Sequence, residues 1–418
     1  MNNQVYDWIV IGGGISGISV SEILNRGSKK VLLIEKNEKL ASETSKVFHE
    51  WLHSGSLYTL ARDRLLTLRY LLGATDDLLE YYDCFSGMNL NPTDKGISVS
   101  DNGWFNNQYI EYRYKLHKFN PIWLSLVSRS INIIDLLDHH DWLRRRAGSE
   151  YGESEIKYSY WFNYIFEQIK SNSDFFTKTS PDITINSRKL IIDIINVALS
   201  NGLNVLTGSE VIKLDEKDKF TFVTTKNETY QAKNVVVCNP DSVAKFFDIP
   251  IKVGYAPIAV VENVPEEECS FVELDYNIKK CINLIKKENG IAQAGGITMS
   301  RQENVSSYLD YIITQHKKRN PSIKVIDTYV GLKKELVEKN ENRNYLYHIN
   351  KHSNRIWSIV LGKFSLAFSM APEFYRQIYK ENPPKVISET SIQSDNNLVS
   401  RTSWQEIIDN KGGQHGDD

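Results

Sequence analysis

The sequence is short of the residues that staple, anchor or strongly charge a protein. Among 418 residues four are cysteine, Cys84, Cys238, Cys269 and Cys281, and none stand as C-x-x-C or at another metal-ligand spacing. That argues against a disulfide framework and for a reducing, cytoplasmic setting, with no metal expected. No apolar run approaches the roughly 18 residues that a membrane span requires. The opening MNNQVYDWIVIGGG has no basic stretch ahead of its apolar residues, which run into glycine, so a secretory leader is not expected. An excess of one charge is lacking too: 50 Lys+Arg against 52 Asp+Glu leave −2. Short basic clusters such as Arg144-Arg145-Arg146 suit a solvated helix face or end. Nucleic acid and anionic membranes are therefore not expected partners. What is present, 41% hydrophobic and 24% charged residues without repeats, is the composition of a globular chain with a sizeable core.

The clearest local pattern is at the start. YDWIVI (6–11) is a short apolar run of the kind a buried parallel strand shows. Glycines break it, and ISGISVSEILNR (15–26) places Ile15, Ile18, Ile23 and Leu24 at near-helical spacing, with Gly27 as a cap. KVLLI (30–34) is a second strand, and Glu35 follows. Gly12, Gly14 and Gly17 thus form G-x-G-x-x-G inside a βαβ unit, with an acid 18 residues past the third glycine. The spacing has a physical reason. Gly12 permits the tight turn, Gly14 lets a pyrophosphate approach the helix N-terminus, and Gly17 allows close helix–strand packing. Glu35 is placed to accept hydrogen bonds from ribose hydroxyls. A dinucleotide site is expected.

Farther along, helical patterns occur near 61–72, 76–83, 121–146 and 157–171, in a stretch rich in Tyr, Trp, His and Arg. Residues 186–211 read as helix, turn at Gly202, strand, turn at Gly208. A small meander leads to the buried strand NVVVCNP (234–240). Strands and a helix near 304–317 fill 251–349, and 355–379 reads strand, turn, helix. The fold class expected is α/β (α+β overall), with a Rossmann-type domain interleaved with a second domain of mixed sheet and helices. The boundaries expected are 1–60, 182–245 and 350–400 for the first, 61–181 and 246–349 for the second, and a flexible tail at 401–418.

After Glu35 the chain runs into a Thr44-Ser45 loop and then His53-Ser54-Gly55 and Tyr58. Later come TINSRKLIIDIINVALSNGLNVLTGSEV, AKNVVVCNP, YVGLKKE (329–335) and LGKFSLAFSMA (361–371). In these elements and their order the chain resembles the D-amino-acid oxidase-like superfamily of FAD-dependent oxidoreductases. Relatives in it include glycine oxidase, sarcosine oxidase, glycerol-3-phosphate dehydrogenase and 2-hydroxyglutarate oxidase. The resemblance implies an FAD-binding domain, whose cofactor contacts fall on Gly12, Gly14, Ile15, Ser16, Gly17, Glu35, Lys36, Thr44, Ser45, Trp51, Leu52 and His53. It also implies contacts at Val211, where the backbone meets adenine, and at Gly362, Lys363, Phe364 and Ser365, where the turn before a helix closes on the flavin. Departures exist: Cys238-Asn239-Pro240 replaces the usual Ala-Gly, and Lys333 stands where an Arg is usual. The regions 61–181 and 246–349 match in position rather than in residues.

His49-Glu50-Trp51-Leu52-His53 is also a literal H-E-x-x-H. On one continuous helix this string holds zinc, with the Glu as base. Beside a flavin it is instead a wall of the pocket, with His49 or His53 packing on the ring, bonding to it or moving a substrate proton. The resemblance implies oxidation of a C–N or C–O bond of an amine, amino acid or hydroxy acid by hydride transfer to the flavin. Candidate catalytic residues are His53, His49, Lys333 and Tyr347, with Tyr329, Tyr345, His348 and the aromatic run 158–166 as further pocket candidates. Lys363 at a helix start would face the reduced ring. Alternatives are a larger specialised or carrier-bound substrate, a zinc hydrolase, and a non-catalytic FAD-binding protein. Oxygen, a quinone or another protein are the candidate electron acceptors.

Overall fold

The computed structural model describes residues 4–61, 63, 65–88, 90–93, 96–99, 103–138, 174–337, 343–386 and 397–413. Arg144–Arg146, the helical pattern at 157–171 and the aromatic run at 158–166 lie outside these.

Two large mixed sheets organise the molecule. In the first, Val5–Ile11 lies between Val31–Ile34 and Thr229–Val237, parallel to both. Asn204–Leu206 and Ile356–Leu361 extend it in parallel on either side, and Tyr347–Lys351 closes one edge antiparallel. Val211–Lys217 and Phe220–Thr225 form the meander on Thr229–Val237. The central strands are apolar on both faces because both faces are covered. On one side Val10, Val31 and Leu33 pack on the helices Ile15–Arg26, Ser187–Ser200 and Ala367–Tyr379. On the other, Ile9, Ile11, Leu32 and Ile34 meet Val211, Val223 and Val235.

The second sheet runs in the order Lys324–Leu336, Ile251–Glu262, Ala292–Gly296, Ile282–Lys286, Phe271–Leu274, Phe105–Lys115, Phe175–Ile185, Trp51–Leu52. Only Phe271–Leu274 and Phe105–Lys115 pair in parallel among its described strands. Pro121–Asp138 covers it through Trp123, Val127 and Ile131, and Val305–Arg319 through Tyr308 and Ile312. Trp51–Leu52 is a point of interest. It follows the nucleotide-type unit in sequence, yet it pairs with Ile183–Thr184 of the second sheet. The segment carrying both histidines is therefore tied to the second sheet.

Two further details differ from the sequence reading. The patterns near 61–72 and 76–83 are one helix, Leu66–Tyr81. Residues expected as a flexible tail contain the helix Ser403–Gly413, held by Trp404 donating to Glu50 (2.8 Å) and by a Lys411–Glu262 ion pair (2.7 Å). Three anchoring contacts of Lys46, Trp404 and Lys411 outweigh the polar, glycine-rich composition that suggested a tail.

The helix layer has its own buried ion pair. Arg26 binds Glu22 through two nitrogens (2.5 and 2.9 Å), donates to the carbonyl of Tyr81 (2.8 Å) and lies over the Tyr82 ring. Glu22 is fully buried, and burial raises its pKa despite the opposing charge of Arg26. Removing one partner of such a pair strands the other. Arg26→Met is expected to lower unfolding free energy by about 3–5 kcal/mol. Glu22→Leu/Arg26→Met together should recover much of that loss, as read by denaturant titration.

Candidate functional site

The site grows from the first turn. Gly12 has φ +108°, which side chains with a Cβ rarely adopt, and a Cβ there would lie 2.9 Å from Asn239 Cβ. At Gly17 a Cβ would stand 1.9 Å from the Gly12 carbonyl oxygen, so only glycine lets the helix start this close to the strand. The turn opens on the N-terminus of Ile15–Arg26, and Ser45 Oγ accepts from the Ile15 amide at 3.0 Å. Glu35 ends the second strand with its carboxylate turned to this turn. It accepts from the Gly13 amide (2.6 Å) and from the Asn37 amide and side chain (2.9 and 2.7 Å).

A cavity of about 790 Å³ starts at this turn and runs between the two sheets. Its volume lies within the usual range for ligand pockets. Among the residues proposed from sequence, Gly12, Gly14, Ile15, Ser16, Glu35, Thr44, Ser45, His49, Trp51, His53, Lys333, Gly362, Lys363 and Phe364 line it. A second cavity of about 90 Å³ opens beside Glu35 and contains Lys36 and Val211. Gly17, Leu52 and Ser365 line neither cavity. Gly17 serves packing, Leu52 is a core residue, and Ser365 Oγ accepts from the His53 amide at 2.9 Å.

Tyr347 also lines neither cavity. Its ring packs on Tyr70 at 5.3 Å, against the helix layer. Tyr345, two residues earlier, lines the larger cavity. The chain bends at Leu346, whose carbonyl accepts from Gly362, so strand alternation does not extend back to residue 345. Tyr329 is engaged by Gln293 (2.6 Å).

Two buried carboxylates shape the histidine segment. Asp182, on Phe175–Ile185, accepts from Trp51 Nε1 (2.7 Å), the Ser54 amide (2.8 Å), Ser54 Oγ (2.5 Å) and Tyr112 OH (2.7 Å). His53 Nδ1 stands 3.4 Å from Asp182, an electrostatic contact rather than a full hydrogen bond. Burial alone would raise the Asp182 pKa; His53, Ser54 and Tyr112 outweigh it and hold the group below its usual range. Glu50, the middle residue of the H-E-x-x-H string, accepts from the Ser187 amide and hydroxyl (3.0 and 2.8 Å), Lys287 (2.7 Å) and Trp404 (2.8 Å). It is consumed by structure. The string is not helical: Glu50 has φ +59° and Trp51–Leu52 is a strand. The one-face arrangement that a helical H-E-x-x-H gives is therefore not formed.

The inner cavity holds an excess of cations. Lys333 pairs with Glu335 (2.9 Å), and Arg343 grips the same carboxylate through two nitrogens (both 2.8 Å). Burial, opposed by Glu335, lowers the Lys333 pKa to about 8. Lys363 has no ion pair among the described residues. Its ammonium lies 4.8 Å above Tyr58 and 5.1 Å above Tyr345. It lines the cavity, and burial with the charges of Lys333 and Arg343 lowers its pKa well below the usual amine range. Burial chiefly, with Lys363 adding, lowers His53 to about 4, against the pull of Asp182. Burial and Lys287 lower His49 to about 3. Both rings are neutral near pH 7. Trp51 stacks on His53 at 4.2 Å.

Arg343, Glu335, Asp182 and Lys287 were not among the residues singled out from sequence. Arg343 and Glu335 flank the Lys333 element, so a charge pattern was there to be noticed. Asp182 and Lys287 act across the sheet and leave no local signal.

Residues 7–149 match the model of the DAO family, described as FAD dependent oxidoreductase. No curated protein sequence matches the chain. The structure is similar to that of NikD, an unusual amino acid oxidase essential for nikkomycin biosynthesis, at TM-score 0.64 and 12% identity, covering 96% of this chain and 98% of that one. It is similar to glycine oxidase from Geobacillus kaustophilus at TM-score 0.62 and 11% identity, covering 96% and 99%. It is similar to L-alpha-glycerophosphate oxidase from Mycoplasma pneumoniae with FAD bound at TM-score 0.59 and 15% identity, covering 94% and 98%. At these identities the structural matches establish the fold, a mixed α/β architecture over nearly the whole chain. The turn geometry fits the cofactor. Gly12→Ala should therefore weaken retention of FAD at least about tenfold, equivalent to ~1.4 kcal/mol, with a fall in the ratio of visible to ultraviolet absorbance of the purified protein.

Proposed function

We propose that this chain, an FAD-dependent oxidoreductase with the DAO fold, oxidises a C–N or C–O bond of an anionic small molecule of amino-acid or hydroxy-acid type. The observation that carries the reading is one cavity joining the dinucleotide turn to a cluster of cations and a neutral histidine. The amides at the start of Ile15–Arg26 would hold the pyrophosphate, Glu35 a ribose, Val211 the adenine edge, and Gly362 and Lys363 the ring end. FAD, when bound, supplies the two-electron acceptor.

The chain's own groups supply the rest. Lys333 binds the anionic group of the substrate, in a site where few waters compete with it, and Lys363 lines the same end as a buried amine able to donate a hydrogen bond. Lys333 contributes a point charge and no fork, so it sets position more than orientation. His53 is neutral at working pH, with Nδ1 turned to Asp182. That leaves Nε2 to take the proton from the substrate nitrogen or oxygen as the bond is oxidised. The Trp51 ring on one side and the Ser365 contact at its amide fix the position of His53.

The direct test is an anaerobic titration of the yellow holoenzyme with amino acids, hydroxy acids and amines. Loss of absorbance near 450 nm with one class of substrate is the expected result. Failure of every class to bleach the holoenzyme would point to a non-catalytic flavoprotein. A second outcome concerns pH. Lys333 is charged below about pH 8 and neutral above it. Affinity for a carboxylate ligand should hold steady below pH 7 and fall as pH rises through about 8. In Lys333→Met that loss should vanish and binding should be weak throughout, as read by titration at fixed ionic strength.

A further inference from the structure

The cavity does not end at the cations. It continues beneath the helix Pro121–Asp138 as an arm lined by Leu57, Leu60, Trp123, Leu126, Leu274 and Ile278. Leu57, Leu60 and Leu126 pack at the edge of the buried cluster around Trp123, so the wall of the arm is part of the core of the second sheet. At its outer end Tyr276 is 50% and Ile278 63% exposed, and the Tyr276 ring lies 6.2 Å from that of Trp123. Asp275 is the acid at this end, and it faces His117 at 3.2 Å. The cavity therefore has opposite chemistry at its two substrate ends: the Lys333 ammonium, the Arg343 guanidinium and the Lys363 amine inside, aliphatic and aromatic carbon outside. A small polar amino acid would fill only the inner end and leave the apolar wall wet.

We propose that the substrate is an amphiphilic anion, with its carboxylate at the Lys333–Lys363 end and an aliphatic or aromatic tail lying in the Leu57–Trp123–Leu126 arm. This rests on the reading of the same site given above, and it narrows the substrate class. The tail is held by burial alone, so affinity follows its length. Each methylene that leaves water multiplies affinity about three- to fourfold, until the tail reaches Tyr276 and Ile278.

The test uses straight-chain carboxylates of two to eight carbons as unreactive ligands. Binding to the holoenzyme is read by isothermal titration and by fluorescence of Trp51 and Trp123, both of which line the cavity. The dissociation constant should fall about threefold or more for each added methylene. Leu126→Trp and, separately, Leu60→Trp fill the arm. Each should abolish the chain-length dependence while leaving acetate binding and the visible spectrum unchanged. Dissociation constants independent of chain length in the native protein would overturn the proposal. So would an undiminished chain-length dependence in both filled variants. These readouts do not need turnover. A holoenzyme that binds long carboxylates but is never reduced would refute the catalytic reading and keep the arm. One that is reduced by short substrates with no length dependence would do the reverse.

Discussion

The carboxylate of Glu50 is the interaction on which the site depends. It is buried, and it draws together the start of Ser187–Ser200, Lys287 beyond the strand Ile282–Lys286, and Trp404 of the C-terminal helix. These partners come from the helix layer of the first sheet, from the second sheet, and from the chain's last helix. A lone buried carboxylate would be costly; four donors offset that cost and make the geometry specific. Lys287 also donates to the His49 carbonyl at 3.0 Å. The segment from His49 to His53 is thus pinned from both sheets. The positive φ at Glu50 is a strained conformation that this network holds in place.

Asp182 performs the matching task on the other side of Trp51. It orders Trp51, Ser54 and Tyr112, and sets the charge that His53 faces. Together the two carboxylates explain how a short two-residue strand can carry a wall of the cavity. Its own ladder is too small to fix it. Side chains that accept from its neighbours do so instead.

Much of this was legible in the sequence, and the limit has a physical origin. The βαβ unit is local: strand, glycine turn, helix and acid lie within 35 residues, and each residue type is demanded by the geometry of its immediate neighbours. Lys333, Lys363, His49 and His53 were likewise found from short motifs, and the fold brings all four to one cavity. Tyr347, named from its place near the C-terminal strand, packs on Tyr70, and Tyr345, beyond the bend at Leu346, lines the cavity. The roles of Glu50 and Asp182 could not be read, since their partners lie 70 to 354 residues away. The H-E-x-x-H string shows the same limit most plainly. Its letters specify a helix-borne metal site only if the backbone is helical, and the decision between helix and strand was made by Ile183 and Thr184, far along the chain.

The electrostatics of the inner cavity bear on how a substrate is chosen. Arg343 would be the natural fork for a carboxylate, but both arms of its contact are taken by Glu335. The remaining charge is carried by the Lys333 ammonium. An ammonium attracts an anion without dictating its orientation, because it lacks the planar pair of donors that locks a carboxylate in one plane. Under the proposed function, orientation of the reacting bond toward His53 would then come from somewhere other than the head group. The rigid apolar arm under Pro121–Asp138 is the element available to supply it. A tail confined between Leu57, Trp123 and Leu126 would set the direction from which the head enters. On this view charge accounts for attraction, shape accounts for alignment, and the second sheet supplies the shape.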